Sequence, residues 1–192
     1  MLTDDHAGAW GNLIQASFPE VCGLQDTLLM DSPRLIQYIP DLTAITCVQF
    51  HYIEDELHWL LSFIRDKQVY VVDSLNRSNI STNLLKQLAR IYTSEDHPKH
   101  TVHFLQTHAQ GANECLPRAC VAMLLVCCGY SPEEIAKSKP NESVLYDLYD
   151  VMQNAFESNE LPRHSDLVAL KELTKADLIR TRKDINFTMT KV

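Results

Sequence analysis

The sequence predicts an α+β protein, with three of its four strands gathered in one run. Three observations predict it. Between residues 45 and 73 lie three runs rich in β-branched and aromatic residues, separated by short polar turns, the pattern of an antiparallel meander. Residues 116 to 128 are apolar on nearly every side, as a helix buried in a core is. Amphipathic helical patterns stand before the meander and after the apolar segment. A length of 192 residues suits one domain, or one domain plus a tail.

Taken in order, Thr3-Asp4-Asp5-His6 is an N-cap cluster. Ala9, Trp10, Leu13, Ile14 and Ala16 follow at helical spacing until Pro19 stops the helix. Trp10 is a core residue on this reading. Gly23 to Leu29 form a turn and a short apolar segment. Ile45–Tyr52, His58–Ile64 and Gln68–Asp73 are the strands of the meander. Their turns put His58 at the start of one strand and Asp73 at the end of its neighbour, near the same edge. Residues 79 to 94 form a helix with Ile80, Leu84, Leu85, Leu88 and Ile91 on one face, capped by Ser81 or Asn79. Val102–Leu105 is a fourth strand. In the central helix Pro117 falls in the first turn, where its missing N–H is not needed. Ser131-Pro132-Glu133-Glu134 starts another helix with a capping box. Residues 142 to 157 are amphipathic, residues 166 to 183 are helix-like but more charged, and the last nine or so form a frayed end. The expected division is a domain over 1–165 and a helical tail over 166–192. The chain opens abruptly on a helix cap, as a domain cut from a longer protein would.

Composition narrows the function classes. The chain is 45% hydrophobic and 22% charged, ordinary for a globular protein, and its net charge is −8. That balance argues against nucleic acid as partner and for a partner with a basic face. Cysteines at 22, 47, 115, 120, 127 and 128 form no disulfide framework, and the first six residues are not a signal peptide. No apolar run is long enough to cross a bilayer, so no membrane is expected. A reducing compartment is expected: nucleus, cytoplasm or the inside of a host cell. His97, His100, His103 and His108 cluster without any metal-binding spacing, and no Gly-rich phosphate loop is present; neither a metal nor a cofactor is expected.

The chemistry concentrates at Cys115, where a polar turn from Gln110 meets the apolar helix. Amides in a first helical turn lack intrahelical acceptors and favour negative charge, which lowers a thiol pKa there. Cys120, Cys127 and Cys128 lie deeper in the helix and read as core. A thiolate nucleophile needs a base, and His58 is the candidate, with Asp73 to accept from its other ring nitrogen. The oxyanion donors on this reading are the Cys115 amide and Gln110, with Gln106 second. Trp59, beside the base, walls off solvent or covers a substrate channel.

These residues carry a resemblance. Residues 45 to 135 are similar to the catalytic core of the ubiquitin-like proteases, the cysteine proteases that process SUMO and related modifiers. The sequence looks most like their divergent animal branch, often linked to mobile elements. Leu2-Thr3-Asp4-Asp5-His6 and Gly23-Leu24-Gln25 match segments common in that branch. His58-Trp59 matches the family's His-Trp, and Val69-Tyr70-Val71-Val72-Asp73-Ser74-Leu75 its Asp-bearing strand. Gln110 through Cys120 falls on its nucleophile motif, with Glu114-Cys115-Leu116 for the usual Asp-Cys-Gly and five residues, not six, from glutamine to cysteine. The resemblance implies an α+β fold of the papain-like Ulp1 and adenain type, its nucleophile helix packed on a mixed, largely antiparallel sheet. It implies cleavage after the C-terminal glycine of a ubiquitin-like modifier of the SUMO or ubiquitin class. It also implies substrate contacts at Trp59, Glu114 and Leu116. Two alternatives stand beside it: a degenerate protease domain kept to bind a modifier, and a thiol acyltransferase on the same scaffold.

Overall fold

Alternation along the strands builds a sheet with two buried faces. The computed structural model describes residues 3–31, 35–37, 46–77, 79–111, 113–140, 142–169 and 182–185. Its strands are β1 (Cys22–Gly23), β2 (Cys47–Ile53), β3 (His58–Arg65), β4 (Gln68–Asp73), β5 (Val102–Gln106), β6 (Lys139–Pro140), β7 (Val168–Ala169) and β8 (Arg182–Ile185). Its helices are α1 (Asp4–Ser17), α2 (Thr82–Tyr92), α3 (Cys115–Cys127), α4 (Pro132–Lys137), α5 (Glu142–Ser158) and α6 (His164–Leu167). One sheet has the order β1-β2-β3-β4-β5-β8; β6 and β7 pair separately. The β2-β3-β4 meander is antiparallel as expected, while β1/β2 and β4/β5 are parallel.

The period of two sorts the side chains. Leu60, Ile64, Val69 and Val71 pack with Leu84, Leu88 and Ile91 of α2. Phe63, Tyr70 and Val72 pack with Met123, Leu124 and Val126 in the layer of α3 and α1, where Trp10 lies only 1% exposed. Strands covered on both faces read as near-continuous apolar runs, which is why the meander was conspicuous in the sequence. Asp66 and Lys67, both at positive φ (51° and 62°), make the two-residue turn that sets the β3–β4 register. Gly23 has φ 92°, and a Cβ there would lie 2.0 Å from the Val48 carbonyl oxygen, so the parallel β1/β2 contact requires glycine.

The α2 layer holds a buried polar chain. His51 Nδ1 meets Gln87 Oε1 at 2.8 Å, His51 Nε2 meets Ser62 Oγ at 2.6 Å, and Ser62 Oγ meets the Tyr92 hydroxyl at 2.7 Å. Burial outweighs the Gln87 hydrogen bond and holds the His51 pKa down at about 4, so this imidazole is neutral.

The helix caps follow the sequence. Ser81 Oγ accepts from Leu84 N–H at 3.1 Å, and Ser131 and Glu134 close a capping box at α4. One expectation is corrected. In the described part of 166–183, α6 ends at Leu167, Val168–Ala169 is a strand, and Arg182 opens β8, which pairs antiparallel with β5. Residues 170–181 lie outside the described residues. A charged segment can add to a sheet edge through backbone hydrogen bonds alone, which covers the edge of β5 without any apolar alternation to announce it.

Candidate active site

Three elements end at one edge of the sheet. The β3 start carries His58, the β4 end carries Asp73, and α3 begins at Cys115. His58 Nε2 lies 2.9 Å from Asp73 Oδ1, and both residues are buried. The His58 ring and the Cys115 sulfur are close enough for each to shift the other's pKa. Burial pushes the His58 pKa down, but hydrogen bonds and charge from Asp73 and Cys115 outweigh it and raise it to about 9. Burial likewise works against the Cys115 thiolate. The His58 hydrogen bond and charge, with backbone hydrogen bonds at Trp59 and Leu116, reverse this and lower the thiol pKa. The two shifts share a cause: each group favours the charged form of the other.

The loop into α3 is braced by ions. Glu114 Oε2 accepts from Gly111 N–H at 2.9 Å and from Arg118 Nε and Nη2 at 2.9 and 2.7 Å; Arg118 Nη1 donates to the His108 carbonyl at 3.0 Å. Against the opposing effect of burial, these partners hold the Glu114 carboxyl below its ordinary pKa. Glu114 is therefore engaged within its own loop. Gln110 is tied to the Asp73 turn: its N–H donates to the Ser74 carbonyl at 3.0 Å, and the Ser74 hydroxyl donates to Gln110 Oε1. That leaves the Gln110 Nε2 donors without a protein acceptor among the described residues.

Two of the side chains expected to contact substrate are buried. Leu116 is 1% exposed and its side chain packs in the α3 core. Trp59 is 4% exposed, with its ring 4.9 Å from Tyr52 and edge-on to Phe50 at 6.3 Å; it is a wall held in place, with only its margin open. Gln106, the second oxyanion candidate, ends β5 opposite Asp73 in the parallel register.

Sequence reading missed the residues that hold the turn after β4. Asn76 sits at φ 52°; its side chain accepts from Thr107 N–H at 2.8 Å and donates to the Thr107 carbonyl at 2.7 Å. This amide clasps the loop after β5 to the loop after β4. Arg77 Nε donates to Asp73 Oδ2 at 2.8 Å, and Arg77 also pairs with Glu56. Tyr52 was also missed. Its pKa is raised by burial first, then by Asp4, Glu54 and Cys115, which sets it within electrostatic reach of the thiol.

No family model and no curated sequence matches the chain. Among solved structures it is similar to the SUMO protease Ulp1 with the catalytic cysteine oxidized to a sulfonic acid. The identity is 15%, the alignment covers 82% of this chain and 78% of that one, and the TM-score is 0.58. The likeness is one of fold: this chain has a Ulp1-like, papain-like α+β fold.

Proposed function

We propose that the chain is a cysteine peptidase that cuts after the C-terminal glycine of a ubiquitin-like modifier, in precursors or conjugates. One observation carries the proposal: on a Ulp1-like fold, His58 at the start of β3 lies 2.9 Å from Asp73, which with Cys115 raises its pKa, while His58 lowers the thiol pKa of Cys115 at the start of α3. Cys115 Sγ attacks the glycine carbonyl carbon and a tetrahedral oxyanion forms. The Cys115 amide and Gln110 Nε2 are the donors that stabilise it. His58 gives its proton to the leaving amine as the C–N bond breaks, leaving a thioester. It then takes a proton from water, which attacks and releases the glycine carboxylate together with the free thiol. Asp73 keeps the imidazole oriented throughout. The modifier is the partner, and a thiolate enzyme of this kind works in a reducing compartment, nucleus or cytoplasm.

The test uses modifier probes bearing an electrophilic C-terminus, one for SUMO, one for ubiquitin and others for related proteins. Wild type and Cys115→Ala are compared. Covalent capture of a probe by wild type alone is expected. Folded protein that captures none would overturn the hydrolase reading, and tight non-covalent binding unchanged in Cys115→Ala would replace it with a modifier-binding module.

A further inference from the structure

We propose that Arg77, anchored by Glu56, is a positioning residue that holds the His58–Asp73 pair in register; the inference rests on the peptidase reading above. Asp73 is 2% exposed, so each of its oxygens needs a donor. Oδ1 accepts from His58 Nε2 at 2.9 Å and from the Leu75 N–H at 3.0 Å. Oδ2 accepts from Arg77 Nε at 2.8 Å. Without that last bond the carboxylate can turn and withdraw Oδ1 from the imidazole.

Arg77 is itself fixed from the other side. Its Nη1 pairs with Glu56, in the 3₁₀ turn that runs through Leu57 (φ 49°) into His58. One planar guanidinium thus links the backbone just before the base to the backbone just after its partner. The side chains of Arg77 and Glu56 keep 25% and 33% of their exposure, so their mutual pair is rim chemistry of small worth. The bond to buried Asp73 is the consequential one, being charge-assisted and out of bulk water. A lysine ammonium at the end of a flexible stem could not hold both carboxylates at fixed angles. The charged groups facing the pair are Cys115 toward His58 and Arg77 toward Asp73, with Asp4 and Glu54 acting on nearby Tyr52.

The experiment is the pH dependence of Cys115 alkylation by iodoacetamide, read by peptide mass spectrometry on the full chain, which needs no modifier substrate. In Arg77→Gln the acid limb is expected to move up by about one unit, so that labelling near pH 6.5 falls about tenfold, and to rejoin wild type at alkaline pH. Arg77→Lys should fall between. Glu56→Gln should move the limb by less, and adding it to Arg77→Gln should change nothing further, because the two act in series. A purely structural role would lower the melting temperature and leave the limb in place. An Arg77→Gln limb that coincides with wild type would overturn the proposal, and so would one moved downward, which would mean that the guanidinium acts only through its charge. Should Arg77→Gln fail to fold, an unmoved limb in Glu56→Gln is the overturning result. Probe capture separates the two readings: wild type deaf to every modifier probe but with a limb moved by Arg77→Gln refutes the peptidase and not the positioning.

Discussion

Asp73→Asn is the perturbation that most directly weighs the ion pair. Asparagine keeps the shape and an oxygen for the Leu75 N–H, but it removes the charge facing His58. The structure raises His58 from an ordinary 6.5 to about 9 against the pull of burial, and the hydrogen bond to Asp73 is the largest upward contribution, followed by that to Cys115. A buried hydrogen bond to a charged group is worth about 2 kcal/mol, which corresponds to about 1.5 pKa units of lost imidazolium stabilisation. The thiolate loses its counter-ion by about the same factor, so Cys115 alkylation near pH 6.5 should slow roughly 30-fold. The sign is fixed by the pairing. The raised histidine stays protonated, and the lowered thiol ionised, between the depressed thiol pKa and about 9 in wild type, and the variant narrows that window from both sides. Above the ordinary thiol pKa the two rates should converge, since solvent hydroxide then ionises either cysteine. The assay is stopped-time labelling across pH, with Cys22 as internal reference. Superimposable curves for the variant and wild type would show that Asp73 contributes nothing to the pair.

Other outcomes follow from the packing. His51 is held neutral at about pKa 4, whereas the unfolded chain takes up that proton from about 6.5, so stability should fall by about 1.4 kcal/mol per pH unit between those values. Urea midpoints at several pH values check this, and a His51→Gln variant should flatten the slope. Gly23→Ala would place a Cβ 2.0 Å from the Val48 carbonyl oxygen at a φ of 92°, and should cost more than about 3 kcal/mol, read as a lowered denaturation midpoint or insoluble expression.

What the sequence made legible divides by the kind of signal each part carries. Apolar alternation is strong where a strand is covered on both faces, and β2, β3 and β4 were found within a residue or two of their ends. The proximity of His58 and Asp73 was legible because a hairpin converts sequence spacing into geometry. The Ser131 cap was legible because its partner is three residues away. Illegible were polar residues whose partners are distant. Asn76 clasps Thr107 across 31 positions, and nothing in Asn76-Arg77 marks it as other than turn. The braces Glu56, Arg77, Ser74 and Arg118 look like solvated surface until the chain has folded. The burial of Leu116 was illegible for a different reason: a helix's first turn presents side chains to both core and solvent, and periodicity alone does not tell which way the one after Cys115 turns. In β8, pairing is done by backbone atoms, on which the side chains Arg182-Lys183-Asp184 are silent.

The separation of the three groups along the chain has a consequence for folding. His58 and Asp73 are 15 residues apart within one hairpin. Cys115 arrives only after the crossover helix α2 and strand β5 have been laid down beside it. Contacts close in sequence form early, and parallel pairing waits for the whole intervening loop. The imidazole and the carboxylate therefore come from one local hairpin, while the sulfur is brought to them by a long-range contact. The His58 contribution that lowers the thiol pKa acts only with α3 in place. A copy in which α3 has not docked therefore carries a cysteine without that lowering.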